Sequence, residues 1–488
     1  MSDSLAGEPV PTDRRALVAV DLGAESCRVS LLRWQEGKPQ VALIQRYDNK
    51  ARQIEGGLRW DIRAIQAGVD EGLKQAAEIA SEGIRSIAVD GWAVDYVRLG
   101  ADGRPLDDPY CYRDERTIEA EKSVYSECGQ ERLRELTGIQ QLRINTLYQL
   151  HADGLAGVER SASWVNLPEY MLFRWGGERV SELTNATHTG LVELNRARWC
   201  AEIFHSVGLD LVAAPKIVPP GTTVGKLKGR LAALPALQDT LLIAPACHDT
   251  ASAIAGIPAS GDDWAYISSG TWSLVGTVLD SPCNSELARA EDFTNLGAVG
   301  GRICFHKNVN GMWLLRQCME HWAQEGLNWT VPELIAEAER TTLPEGLLEV
   351  DEPSLLLQGN MPARINMQRS GRGLTILDEH PANAPQFALL IFHSLAARYA
   401  EVLSRTAALS GKKFKRLFIV GGGSQNELLN RLTAKATGLE VRRGARESST
   451  IGNFAIQLAA LEGKYSPSVG VAPDAVARWA ELLGTSAS

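Results

Sequence analysis

From residue 16 the chain alternates short apolar runs with glycine turns. ALVAVDL (16–22) is a β-branched strand, Gly23 to Arg28 a turn, and VSLLRW (29–34) a second strand. KPQVALIQRYD (38–48) continues the β pattern. From Asp61 to Glu82 the period changes. Ile62, Ile65, Val69, Leu73, Ala76 and Ala80 recur at helical spacing, and Gly83 stands where a helix cap would. IRSIAVD (84–90) is then a buried strand, so the opening order is βββαβ. Strand, turn, strand is a hairpin opening, unlike the strand-to-helix opening of a dinucleotide fold.

A related plan returns after Gly261. WAYISSGTWSLVGTVL is strand, Ser-Gly turn, strand; GRICFHKNV is a β segment; Asn310 to Glu325 is helical. Pro385 to Gly411 predicts a long amphipathic helix, with Phe387, Leu390, Ile391, Leu395, Tyr399 and Leu403 inward. RLFIV (416–420) is a buried strand ending at Gly421-Gly422-Gly423. The halves share a plan but not a sequence, which predicts two α/β domains joined by a linker at 258–262. The expected division is a disordered lead over 1–15, a first domain over 16–258 and a second over 262–488. The stretch 344–373, rich in Gly, Pro and Arg, reads as a long loop.

At 488 residues the chain is too long for a single core. The net charge of -9 argues against nucleic acid as a main partner, because phosphate backbones need clustered Lys and Arg. Eight scattered cysteines without a C-x-x-C pair read as free thiols in a reducing compartment. The first 15 residues lack the apolar core of a signal peptide, and no run approaches the roughly 18 apolar residues of a membrane helix. A cytoplasmic location with no membrane partner is expected.

The candidate chemistry starts in PACHDTASAIAGIP (245–258). The strand Leu241 to Ala244 stops at His248, Asp249 and Thr250, and a small-residue helix follows. A carboxylate there, at a strand mouth and a helix N-terminus, suits a general base. In Asp21 to Arg28, Gly23 permits a tight turn whose amides, with Ser26 and Arg28, can face phosphate, while Asp21 can anchor Mg2+. A plain hairpin turn explains the same residues equally well. Ser268 to Ser273 is the second-half counterpart, and Gly421 to Asn426 lets a nucleotide approach the backbone. Asn426 stands where a dinucleotide fingerprint wants glycine. Asp90 to Tyr96 offers Trp92 to a sugar face and Asp side chains to hydroxyls, although a lone Trp reads first as core. Asn308 is a sugar contact or a helix cap. No His/Cys spacing supports zinc, and no G-x-S-x-G elbow is present.

Taken together, VAVDLGAESCRVSLLRW, VDGWAVDYVRL, INTLYQLHA, TNATHTGLVEL, CHDTASAIAGIP, AYISSGTWSLVG, KNVNGMWLLRQC, IVGGGSQNELLN and SSTIGNFAIQL resemble the FGGY carbohydrate kinases. The resemblance runs from about Val18 to about Leu461 and implies an α/β chain of two actin/hexokinase-like (ribonuclease H-like) ATPase domains with an interdomain cleft. Fragments such as HDTASA and NTLYQL are similar to the branch that acts on L-rhamnulose. That implies transfer of the ATP γ-phosphoryl group to the ketose 1-hydroxyl, with Mg2+, in a monomer or homodimer. By position, Asp249 matches the proton acceptor, and Ala93, His248, Thr250 and Asn308 match substrate contacts, with Trp92 and Asp95 beside them. Ala24, Glu25, Ser26, Cys27 and Arg28 match the first phosphate turn, Thr271 and Gly422 the nucleotide contacts. Glu25 and Cys27 depart from the family's Ser and Gly, Ala93 replaces a Gly, and Arg316 replaces a nucleotide-binding Gln. The alternatives are a kinase for another ketose (L-fuculose or L-xylulose) and a non-catalytic actin-like ATP-binding protein.

Overall fold

The structure, a computed structural model, describes residues 9–54, 56–445 and 447–486. The chain forms two compact units. The first holds the chain to Ser260, then Val278–Phe305 and the C-terminal segment from Glu447; the second holds Gly261–Thr277 and His306–Arg446.

In the first unit, strands β1 (Ala16–Leu22), β2 (Ser26–Gln35) and β3 (Lys38–Asp48) form an antiparallel meander. Helix α1 (Ile62–Ile79) follows, started by the Asp61 carboxylate accepting from the Ala64 amide at 2.8 Å. Its buried stripe is Ile62, Ile65, Val69, Leu73 and Ala76, the residues the spacing singles out, each large one contributing about 1.5–3 kcal/mol by burial. The helix ends at its Ala80 cap, short of Gly83, whose φ of 87° places it in the turn beyond. Strand β4 (Ile84–Gly91) then pairs parallel to β1. Helix α2 (Thr146–Leu155) comes later in the chain, followed by β5 (Thr222–Lys226), β6 (Leu241–Ala244) and helix α3 (Asp249–Ala255). Strand β6 pairs parallel to β4, and the sheet order is β5-β6-β4-β1-β2-β3. Its centre is therefore three adjacent parallel strands.

In the second unit, β7 (Trp264–Ser269) and β8 (Trp272–Leu279) form a hairpin, joined by β9 (Ile303–Asn310) on the β8 side. The stretch 344–373 is not a bare loop. It contains helix α4 (Met361–Gly371), capped by the Asn360 side chain on the Ala363 amide at 3.0 Å. Arg369, 2% exposed, points inward and bonds the carbonyls of Thr375 and Glu345, both at 2.9 Å. Pro362 is tolerated in the first turn, where an unpaired amide costs nothing. The long helix α5 (Ala384–Ser410) ends at Gly411 with φ 71°. With the turn before it, it is long and apolar enough to cross a membrane, and it is mostly buried inside the protein. Strands β10 (Arg416–Val420) and β11 (Glu440–Arg443) add parallel beyond β7. Each unit thus sets an antiparallel hairpin beside parallel strands, the shared plan expected from the sequence.

The chain then returns to the first unit. Helix α6 (Ser448–Leu461) is buried along most of its length against α3, β1 and β4. Counting residues 262–488 as one domain therefore separates α6 from the strands it covers. Residues 1–8 of the expected lead lie outside the described residues. Within 9–15 the chain is anchored at Thr12, whose amide and hydroxyl both reach the Glu462 carboxylate at 3.2 Å, and Arg85 bonds the same group at 2.7 Å.

Helices α3 and α6 touch through glycines. A Cβ on Gly452 would lie 1.8 Å from the Ser252 carbonyl oxygen, and one on Gly256 2.6 Å from that of Ser448. Gly452→Ala forces the two helices apart despite alanine's better helix propensity. A loss of about 3 kcal/mol in denaturant unfolding is expected; an unchanged midpoint would show that the packing is loose.

Candidate active site

The parallel centre of the first sheet ends in carboxylates. Asp21 on β1 and Asp90 on β4 are cross-strand partners, and Asp249 follows β6 as the first residue of α3. Ligands of open α/β sheets bind beyond such strand ends. Asp21 and Asp90 are buried, at 3% and 0% exposure. Burial pushes the Asp21 carboxyl up against the pull of Arg28, and burial together with the Asp21 charge pushes Asp90 well above the usual range. Helix α6 supplies their partners. Ser449 Oγ donates to Asp21 Oδ2 at 2.8 Å, Asn453 Nδ2 to Asp90 Oδ2 at 2.9 Å, and Gln457 Nε2 to the Val18 carbonyl at 3.1 Å. This i, i+4, i+8 stripe of polar residues in an apolar helix is visible in SSTIGNFAIQL, and sequence reasoning gave it no role.

The first turn differs from expectation in two places. Cys27 has no exposed surface, and burial in the core pushes its thiol up to about 12; only its backbone is left for a ligand. Arg28 Nη2 is paired to Asp21 at 2.9 Å and its Nη1 to Glu447, so its charge is already shared between two carboxylates. Gly23 is required, because a Cβ there would lie 2.4 Å from the Ser26 carbonyl oxygen. Asn49 staples the turn, its side chain donating to Gly23 O and its amide to Glu25 O, both at 3.0 Å. Glu25 itself is exposed. No group of three or more His, Cys, Asp or Glu among the described residues forms a metal cage. Asp21 fits the sparser requirement of Mg2+, which takes one or two carboxylates and completes its shell with phosphate and water.

Asp249 is partly accessible. Its side chain retains 34% accessibility, while burial pushes its pKa up to about 6. His248 Nε2 lies 3.4 Å from Asp249 Oδ1, and His248 Nδ1 is 3.0 Å from His188 Nε2. Burial, reinforced by His248, holds His188 far below the usual histidine range, so the His188 ring is neutral where it meets His248. Behind them is a buried acid pair that sequence reasoning missed. Glu169 Oε1 accepts from the Glu182 amide at 2.9 Å, and Glu182 Oε2 accepts from the Cys247 amide at 2.7 Å. Thr184 Oγ1 donates to Glu182 and accepts from the His248 amide at 3.3 Å. Burial pushes Glu169 to about 7 and Glu182 to about 8. The signal lay in TNATHTG and the Glu before it.

Trp92 and Ala93 are 7% and 9% exposed. Asp95, expected beside the sugar, has no exposed surface. Its Oδ2 accepts from the indoles of Trp60 at 2.6 Å and Trp92 at 2.9 Å and from the Tyr112 amide at 3.2 Å; its Oδ1 accepts from Gln149 at 3.0 Å. All its acceptor capacity is directed inward, so Asp95 holds Trp92 in place instead of presenting an oxygen to a ligand. The Trp60 and Trp92 rings are 4.6 Å apart.

In the second unit, the turn Gly270-Thr271 docks on the chain after β9: the Met312 amide reaches Gly270 O at 3.0 Å and the Trp313 amide reaches Thr271 O at 3.1 Å. Gly421, at φ 82°, would place a Cβ 2.6 Å from Ser269 O, whereas a Cβ on Gly422 would meet nothing within 4 Å. The turn is thus close-packed on one side and open at Gly422, room that a nucleotide can use. Asn308 is a residue of β9, not a helix cap, and Arg316 lies over the Trp313 ring at 5.0 Å.

Removing the Asp95 carboxylate leaves two indole N–H groups and two amide donors buried without it. Asp95→Leu is expected to cost about 2–4 kcal/mol in denaturant unfolding, with a change in tryptophan fluorescence. An unaltered stability would return Asp95 to the ligand side.

The chain is 36% identical over 442 residues to the rhamnulokinase of Bacteroides thetaiotaomicron, covering 90% of this chain and 89% of that one. It is 35% identical over 455 residues to that of Enterococcus faecalis, covering 92% and 90%. The fold superposes on the xylulose kinase of Lactobacillus acidophilus with a TM-score of 0.74 at 17% identity, covering 96% of each chain. Residues 16–256 match the N-terminal domain, and residues 265–461 the C-terminal domain, of one family. The chain belongs to the FGGY family of carbohydrate kinases.

Proposed function

We propose that the protein transfers the γ-phosphoryl group of ATP to the 1-hydroxyl of L-rhamnulose, giving L-rhamnulose 1-phosphate and ADP. The observation that carries this reading is Asp249: a partly accessible carboxylate beyond a strand end, raised to about 6, in a chain 36% identical to a rhamnulokinase. Near neutral pH such a group is ionised yet basic enough to take a hydroxyl proton. The sugar O1 attacks the γ-phosphorus, the bond to the β-bridging oxygen breaks toward ADP, and the hydroxyl proton passes to Asp249. His248, Thr250 and Ala93 contact the ketose, Trp92 covers one of its faces, and Asn308 adds a contact by its place in the motif. The backbone of Ala24 to Arg28, with Thr271 and Gly422, receives the phosphates. Asp21 would hold Mg2+, which would supply neutralisation of phosphate charge. Phosphoryl transfer needs mainly this positioning and charge neutralisation.

Two measurements test the reading. Asp249→Asn preserves shape and is expected to lower kcat by about 10²-fold or more with an unchanged Tm; a loss below about tenfold removes Asp249 from the role. Only the ionised carboxylate accepts a proton. Because the pKa is raised, kcat/KM is expected to be flat above pH 6 and to fall about tenfold per unit below it. For substrate identity, ADP release is followed with L-rhamnulose, L-fuculose and L-xylulose. The largest kcat/KM is expected for L-rhamnulose. A preference for another ketose replaces the substrate, and ATP binding without ketose-stimulated ADP release replaces the kinase reading by an ATP-binding protein.

A further inference from the structure

Among the described residues, five non-glycine residues have positive φ: Glu36, Val94, Asn195, Asp239 and Asp292. Three are Asn or Asp, which visit the left-handed region readily, and Glu36 is exposed beside Gly37. Val94 is the exception. It is β-branched, 5% exposed and held at φ 73°, where its Cβ crowds the backbone. Such a conformation persists only when its surroundings over-determine it.

The surroundings do so here. The Val94 carbonyl accepts from Thr146 Oγ1 at 2.6 Å and from Gln149 Nε2 at 3.3 Å. The same Gln149 amide reaches Asp95 Oδ1 at 3.0 Å and the Ile144 carbonyl at 2.9 Å. Thr146 and Gln149 are both buried, at 0% and 1% exposure. On one side of Val94, Asp95 is fixed by two indoles and by the Leu167 amide on its carbonyl at 3.1 Å. On the other, the amides of Gly91 and Trp92 are tied to Cys247 O and Leu22 O, both at 3.0 Å. Only Ala93 and Val94 lie between the anchored ends, so the φ of Val94 sets the direction of the Ala93 backbone.

We propose that Thr146 and Gln149, on the first turns of α2, are positioning residues that pin Val94 in the left-handed region and thereby set the Trp92–Ala93 surface that receives the ketose. The proposal rests on the proposed function for its ligand, and on geometry alone for the pin.

A double-mutant cycle tests it in the full-length protein. Thr146→Val removes the hydroxyl at nearly constant volume and is expected to raise the ketose KM about tenfold with the KM for ATP unchanged. Thr146→Ser, which keeps the hydroxyl, is expected to stay within about twofold of the parent. Glycine adopts the left-handed conformation without help, so in a Val94→Gly background the cost of Thr146→Val should shrink at least about threefold. The same cycle read by thermal denaturation needs no substrate: Thr146→Val should lower Tm more in the parent than in Val94→Gly. Equal costs in both backgrounds, or equal shifts in the KM for ATP and for ketose, overturn the pin. A protein that turns over no ketose but shows the Tm coupling keeps the pin and loses the function reading.

Discussion

Three carboxyl groups at the end of the parallel centre of one mixed sheet are an electrostatic problem that the rest of the first unit solves. Ionised acids are costly to bury, and like charges on adjacent strands raise the cost. Asp21 is balanced by Arg28 and Ser449, Asp90 is pushed toward its neutral form and held by Asn453, and Asp249 keeps an opening to solvent. The three acids thus differ in environment although they share a location. One is paired, one pushed toward its neutral form and one left partly accessible.

The same economy operates around His248. Its ring is fixed by His188 and its backbone by Thr184, which is in turn held by Glu182 and, through the backbone, Glu169. Buried side chains behind it therefore decide where the HDT segment points. Rigid elements supply that precision: β6 ends and α3 begins within five residues, with close glycine contacts behind.

Much of this was legible in the chain itself. The strand–turn–strand opening, the stripe of α1 and the Asp at the end of β6 follow from local period and turn chemistry, and they are where expected. What was not legible is nonlocal. Nothing near Asp95 reveals that Trp60 donates to it, so an interior acid reads like a sugar contact. Arg28 looks free until Glu447 is brought beside it by a segment hundreds of residues away. Helix α4 is hidden because Gly359, Pro362, Gly371 and Gly373 resemble loop punctuation, while its Asn360 cap and buried Arg369 show their roles only in three dimensions. Val94 carries no sequence signal at all, since valine is the last residue local rules would assign to a left-handed turn.

The return of α6 to the first unit has a consequence for how the chain is made. The bond between Asn453 and Asp90 spans 363 residues, and Gln457 reaches back to Val18 across 439. A ribosome that has delivered every strand of the first sheet has still not delivered the helix that covers its middle. Until residues 448–461 emerge, Asp21 lacks Ser449 and Asp90 lacks Asn453. The first unit is completed only after the chain of the second has been made.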